Sequence, residues 1–246
     1  MGIFEIAILS TVAFCTSAFT AVVGAGGGTA LLAIMLQFLS PIAAIPVHGA
    51  VQMASNTTRV WLFWKHMSWP IIFRFVAMMP LGVWIGLKLF QGLPTHAIQI
   101  LIGIFVLLSL VTGYFKSAQR GEFPLWAFVP LGFIIGALNM VVGVISTILG
   151  VLIMRKDLSK EAMVGTLGFF GFIGNLLKLI GFSLIGFSFV EFGPLILCMI
   201  PAAIVGTRFG KSVLTRLDER AFMVAFQAML LALALKLIFI DGLGLI

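Results

Sequence analysis

The chain has 246 residues, of which 61% are hydrophobic and only 9% are charged, and its mean hydropathy is +1.22. Because soluble globular domains carry roughly 25% charged residues, this composition predicts an integral membrane protein and excludes a hidden soluble domain. The formal net charge of +7 does not indicate a nucleic-acid partner, because the basic residues fall in short loops, where membrane topology accounts for them.

Apolar segments follow one another along the whole chain, separated by short polar loops. Most of them have ~20 residues, which is enough for a helix to cross the hydrocarbon core of a bilayer. The segments are 3–22, 28–40, 43–63, 70–91, 96–115, 124–142, 145–154, 161–182, 189–210 and 221–240. The sequence therefore predicts an all-α polytopic membrane protein whose main partner is the lipid bilayer.

Two of these segments, 28–40 and 145–154, are short, and each comes directly after an interruption of the apolar pattern. Irregular backbone at membrane depth is tolerated only where it is buried in protein or lines a cavity. We therefore predict a broken or re-entrant helical hairpin at each interruption. The sequence leaves open whether the short arm crosses the membrane fully or only dips in.

The lysines and arginines predict which side of the membrane each loop faces. Basic loops occur near 65, 116–120, 155–160 and 211–220, and loops without Lys or Arg occur near 40–43, 92–95 and 183–188. By the positive-inside rule, the four basic loops face the cytoplasm. The chain is therefore predicted to lie in the cytoplasmic membrane with both termini outside.

The chain also divides into two related halves. At an offset of 119 residues, Val23-Gly24 matches Val142-Gly143, Gly49 matches Gly168, Asn56 matches Asn175, and Arg59 corresponds to Lys178. The loop after the short segment is external in the first half and cytoplasmic in the second, so the halves are inverted. We predict a first repeat at 1–116, a cytoplasmic linker at 117–123 and a second repeat at 124–246. Inverted repeats with broken helices are typical of secondary transporters.

The first interruption is rich in glycine and predicts an anion site. A helix that begins inside the membrane presents unpaired N–H groups and the positive end of its dipole, both of which attract anions. The candidate ligands are Gly24, Gly26, Gly27, Gly28 and Thr29. The alternative is helix packing, because Gly24-x-x-x-Gly28 is also a small-xxx-small motif. The second interruption offers the hydroxyl donors Ser146 and Thr147.

Segment 43–63 carries a stripe of polar residues together with Ser55. Steps of four, four and three place His48, Gln52, Asn56 and Arg59 on one helix face. Because such a stripe is costly against lipid, we expect it to line a substrate path or, alternatively, a structural network that joins the halves. Arg59 is also close enough to Lys65 to snorkel to the cytoplasmic surface. His48 is the candidate for proton coupling, and a neutral structural histidine is the alternative.

The matching segment 161–182 adds Asn175 and Lys178, the counterparts of Asn56 and Arg59. Its glycines, at every third position from 165 to 174, favour close helix packing. Inversion predicts that the two cations lie near opposite ends of a pore. An anion entering from either side would then meet one of them first.

No Asp or Glu lies deep within any of the apolar segments. A cation site built on carboxylates is therefore not expected, and neither is a metal or a cofactor. His48 has no acidic or cysteine partner at helical spacing, which argues against an intramembrane enzyme. The expected substrate is a small anion, with protons as a further candidate partner and the oligomeric state left open.

The sequence resembles the TauE/SafE family of sulfite exporters over nearly its whole length. The resemblance rests on Gly24-Ala-Gly-Gly-Gly28, His48, the Ala54-Ser55-Asn56 region and the related second half. The second interruption departs from the Gly/Pro-rich pattern often seen in such proteins. The resemblance implies transport of sulfur-containing or organic anions, such as sulfite or sulfonates, across a bacterial-type cytoplasmic membrane.

The function predicted from the sequence is a secondary transporter of small anions that works by alternating access. A passive anion channel of similar architecture and an intramembrane scaffold are the alternatives. A proton gradient can drive anions uphill through a transporter but not through a channel, and a scaffold needs no polar stripe.

Overall fold

The computed structural model describes residues 2–23, 26–114, 124–143, 149, 153, 158–213 and 219–244, and all regular structure in these residues is helical. The α-helices are α1 Ile3–Val23, α2 Gly27–Met35, α3 Pro41–Phe63, α4 Trp69–Gly92, α5 Thr95–Tyr114, α6 Phe128–Val141, α7 Lys160–Leu184, α8 Gly193–Val213 and α9 Glu219–Leu235. The last of them continues as a π-helix, Lys236–Gly242. The predicted all-α class is confirmed.

Several of the helices have the length and composition of membrane spans. Within the described residues, four stretches are long and apolar enough to cross a membrane: Ile3–Ala21, Trp69–Gly92, Glu161–Leu184 and Phe189–Gly210. Two further apolar helices there are shorter, Thr95–Val111 and Leu125–Val141. Large apolar side chains such as Phe73, Trp84 and Leu197 are exposed on the outside of these helices. An extensive apolar surface of this kind marks contact with lipid. The chain is a multi-pass membrane protein.

Both interruptions contain a glycine whose backbone lies in the left-handed region. Gly26 has a φ of 101° and precedes α2, and Gly143 has a φ of 81° and follows α6. A side chain at either position would strain the backbone, so glycine is what lets the chain turn there. α2 ends at Met35, earlier than the predicted segment 28–40. Most of the second short segment, 145–154, lies outside the described residues.

Two pairs of helices, α4 with α6 and α1 with α8, pack closely through glycine. On α4, Gly82 and Gly86 lie against the backbone carbonyl groups of Phe133 and Ala137, and on α8, Gly206 and Gly210 lie against those of Phe14 and Ala18. Phe14 and Phe133 are 119 residues apart, and so are Ala18 and Ala137, whereas the two pairs of glycines are 124 residues apart. A similar glycine contact therefore occurs in both halves, and only its α1 and α6 sides are at the offset of the predicted duplication.

α3 and α7 lie antiparallel against each other. Going along α3, Gly49 contacts Lys178, Asn56 contacts Gly171, and Arg59 contacts Gly168. Gly49 and Gly168 are counterparts at an offset of 119, and Arg59 and Lys178 are counterparts at the same offset. Each of these two cations therefore packs on the glycine of the other half. Counterpart helices run antiparallel in an inverted duplication and parallel in a direct one. The repeat boundaries stay a prediction, and the linker 117–123 lies outside the described residues.

The packing of α4 on α6 can be tested at Gly82, because a Cβ there would overlap the Phe133 backbone. We expect Gly82→Ala to lower the free energy of unfolding by about 1–3 kcal/mol, the usual cost of overpacking. Gly92→Ala is the matched control, since its Cβ would meet nothing within 4 Å. Thermal unfolding in detergent measures both variants, and equal melting temperatures would contradict this packing.

Candidate functional site

A polar cavity of about 40 Å³ lies between α3 and α7. Its lining comprises Thr20, His48, Gln52, Asn56, Arg59, Asn139, Gly143, Leu149, Leu167, Phe170, Gly171, Gly174 and Asn175. A water molecule needs roughly 10–15 Å³ by this measure, so the cavity holds on the order of three waters or one small anion.

The polar face of α3 forms one wall of this cavity. His48, Gln52, Asn56 and Arg59 all line it and are all buried. α7 supplies Asn175 on the opposite wall, together with glycines that leave room for the α3 side chains. A Cβ at Gly171, for example, would overlap the Asn56 amide. The glycine face of α7 is therefore what makes space for the polar groups.

Arg59 faces the cavity and does not snorkel to the surface, since it is only 4% exposed. Helical side chains lean towards the N-terminus of their helix, and this direction lets the Arg59 Nη2 donate a hydrogen bond to the Asn56 Oδ1. The Nε and Nη1 groups have no partner in the described part of the chain. A buried cation with unused donors is costly, and an anion in the cavity would satisfy them.

Lys178 is fully buried and holds the second interruption in place. Its ammonium group donates a 2.7 Å hydrogen bond to the Gly143 carbonyl oxygen. Gly143 itself lines the cavity. Lys178 therefore ties α7 to the end of α6 and brings a second positive charge close to the cavity.

His48 makes the corresponding tie in the first half. Its Nε2 lies 3.0 Å from the Gly28 carbonyl oxygen, which connects α3 to α2. The other ring nitrogen, Nδ1, is buried and has no partner in the described residues. His48 lines the cavity, and its Nδ1 is a hydrogen-bonding atom that the described protein atoms leave unused.

The described part of the glycine stretch does not line the cavity. Gly27 lies against the Thr16 carbonyl and the Thr20 hydroxyl, so it serves close packing of α2 on α1, which was the alternative for this motif. Gly28 reaches the cavity only through His48, and Gly26 and Thr29 are buried outside the lining. Gly24, Ser146 and Thr147 lie outside the described residues. Ser55 instead forms a 2.9 Å hydrogen bond with Thr207 of α8.

Thr20 and Asn139 line the cavity and were not among the residues singled out from the sequence. The Asn139 Nδ2 donates to the Gly174 carbonyl oxygen at 3.1 Å, and the Thr20 hydroxyl donates to the Thr16 carbonyl oxygen at 2.8 Å. The two residues are 119 positions apart. The offset that aligned Asn56 with Asn175 would therefore have found this pair as well.

Among the described residues, the buried charges at the cavity are positive. Arg59 lines it, Lys178 adjoins it through Gly143, and no Asp or Glu is buried with these cations among the described residues. No group of three His, Cys, Asp or Glu side chains that could hold a metal occurs among the described residues. The arrangement is suited to binding and releasing an anion.

Comparison with known proteins agrees with this chemistry. The family model described as Sulfite exporter TauE/SafE matches residues 9–237. No curated protein and no solved structure matches the chain.

Substitution of Lys178 tests whether this buried cation contributes to anion binding or to the stability of the fold. Met is of similar length but uncharged, and burying a charge costs several kcal/mol, so we expect Lys178→Met to keep or raise the melting temperature. We expect its affinity for sulfite, measured by isothermal titration calorimetry, to fall. Lys88→Met, at an exposed lysine, is the control. A lower melting temperature with unchanged sulfite affinity would assign Lys178 a structural role.

Proposed function

The chain belongs to the sulfite exporter TauE/SafE family, a family of transporters rather than enzymes, and on that premise we propose that it is a secondary transporter of small anions. The proposed substrates are sulfur-containing or organic anions such as sulfite or sulfonates. They cross the cytoplasmic membrane by alternating access between inverted repeats, and both termini face outside.

The observation that carries this proposal is the set of unused donors on Arg59. Its Nε and Nη1 groups are buried at a polar cavity without a protein acceptor in the described residues. An oxoanion has several oxygens that can accept from a guanidinium group, and such charge-assisted bonds are strong. Gln52, Asn56 and Asn175 supply amide groups around the same space.

The size of the cavity supports a small substrate. Its volume of about 40 Å³ holds a few waters or one compact group, so larger organic anions require the wall between α3 and α7 to open.

The paired contacts support alternating access. Each interruption is tied to the polar helix of its own half, Gly28 to His48 in the first and Gly143 to Lys178 in the second. Movement of one half against the other would leave these ties intact and change the contacts between α3 and α7, where the cavity lies. Access from one side would then close as access from the other opens.

Flux into proteoliposomes tests the function. We expect sulfite uptake by the purified protein, and we expect Arg59→Gln to raise the half-saturating concentration about tenfold or more, since hydrogen bonds to charged groups contribute ~1.5–3 kcal/mol. Arg74→Gln is the matched control, because Arg74 is exposed and bonded to the Pro70 carbonyl oxygen.

The same vesicles separate the transporter from a passive channel. Unlabelled sulfite loaded inside the vesicles should drive labelled sulfite transiently above its equilibrium level by exchange if the protein is a transporter, and a channel would only let the label equilibrate. The absence of flux for every oxoanion, with protein confirmed in the vesicles, would refute the proposed function.

A further inference from the structure

The Nδ1 atom of His48 is a buried polar group that the anion site of Arg59 does not explain. His48 is 1% exposed, it lines the cavity, and its Nδ1 has no partner in the described residues. If the cavity bound anions through charge alone, Nδ1 would be expected to donate a hydrogen bond to the anion. The question is therefore which hydrogen-bonding role this nitrogen has.

The contact on the opposite side of the ring determines which nitrogen carries the hydrogen when the imidazole is neutral. The Nε2 atom lies 3.0 Å from the Gly28 carbonyl oxygen, and a carbonyl oxygen can only accept a hydrogen bond. Nε2 must therefore carry the hydrogen. In a neutral ring the hydrogen is then absent from Nδ1, which presents a lone pair to the cavity.

The surroundings favour the neutral ring. The charged groups that share this region are the cations Arg59 and Lys178, and Lys178 packs on Gly49, the residue next to His48. No Asp or Glu is buried among the described residues to balance a third positive charge. A charge added at His48 would lie near the positive charge of Lys178 in a poorly solvated interior, which is costly.

The cavity therefore has a donor end and an acceptor end. Arg59 supplies donors at one end, and His48 Nδ1 supplies an acceptor at the other. The Thr20 hydroxyl, which also lines the cavity, has already donated its hydrogen to Thr16. His48 and Arg59 are eleven residues apart on α3, which corresponds to ~16 Å of helix. A small anion thus meets the two ends one after the other.

We propose that His48 selects anions that carry a hydrogen on an oxygen or nitrogen atom, so that Nδ1 can accept it. An oxoanion without such a hydrogen would bring its negative oxygens against a lone pair. This inference rests on the proposed anion transport and deepens it: for an oxoanion with two protonation states, the site takes the protonated monoanion. The proton then crosses the membrane on the substrate, and the protein itself need not titrate.

A pair of isosteric monoanions tests the proposal. Sulfamate and methanesulfonate have the same shape and charge, but sulfamate has an NH₂ group where methanesulfonate has a methyl group. We expect isothermal titration calorimetry on the detergent-solubilised protein to show sulfamate binding about fivefold or more tightly, as for one hydrogen bond of ordinary strength. Bicarbonate and acetate form a second pair of this kind, because bicarbonate has a hydroxyl group where acetate has a methyl group. Both comparisons can be made on the wild-type protein.

His48→Leu provides the matching variant, because leucine has neither a donor nor an acceptor. A general loss of affinity affects both anions of a pair, so the ratio of their affinities isolates the hydrogen bond to Nδ1. We expect this ratio to fall to about one, as loss of the discriminating bond requires. His96→Leu, at an exposed histidine, should keep the wild-type ratio.

The outcomes separate this proposal from the transport function. Equal affinities in the wild-type protein, or tighter binding of methanesulfonate, would overturn the role of His48 while sulfite flux through an Arg59-dependent site could still stand. A preference that persists in His48→Leu would assign it to another residue and overturn the proposal. If neither pair nor sulfite binds, both the inference and the anion site are refuted.

Discussion

Two positive charges are buried between α3 and α7 without a buried carboxylate in the described part of the chain, and the rest of the structure has to accommodate them. An unpaired charge in a protein interior costs several kcal/mol, so stability alone does not explain these residues. They are held by hydrogen bonds, from Lys178 to the Gly143 carbonyl and from Arg59 to the Asn56 amide, together with dense helix packing nearby. The donors of Arg59 that stay unused in the described residues are those that the proposed anion would satisfy.

Glycine has two separate roles in making room for this site. On α7, Gly168 and Gly171 bring the backbone close to α3 and leave space for Arg59 and Asn56. In the interruptions, Gly26 and Gly143 adopt backbone angles that other residues rarely adopt. The first role sets the width of the cavity and the second places carbonyl groups where His48 and Lys178 can bond to them. Both roles link backbone geometry directly to the chemistry of the site.

The polar stripe on α3 could be predicted because helical periodicity alone places His48, Gln52, Asn56 and Arg59 on one face. The role of the glycine stretch could not, because a glycine beside a new helix looks the same in sequence whether it faces a ligand or another helix. Gly27 faces α1, a contact decided by how α1 and α2 fold back on each other. Thr20 and Asn139 were missed because a single hydroxyl or amide in an apolar helix gives no periodic signal.

The sequence by itself determined the membrane class, the order and approximate extent of most helices, and the residue pairs related by an offset of 119, since these follow from local composition and spacing. Only the tertiary structure decided where each polar group points and what it contacts. The burial of Arg59, the bond from Lys178 to Gly143 and the open Nδ1 of His48 all depend on atoms brought together from distant parts of the chain. Hydrogen bonds act over about 3 Å, so their partners are fixed by packing rather than by sequence spacing.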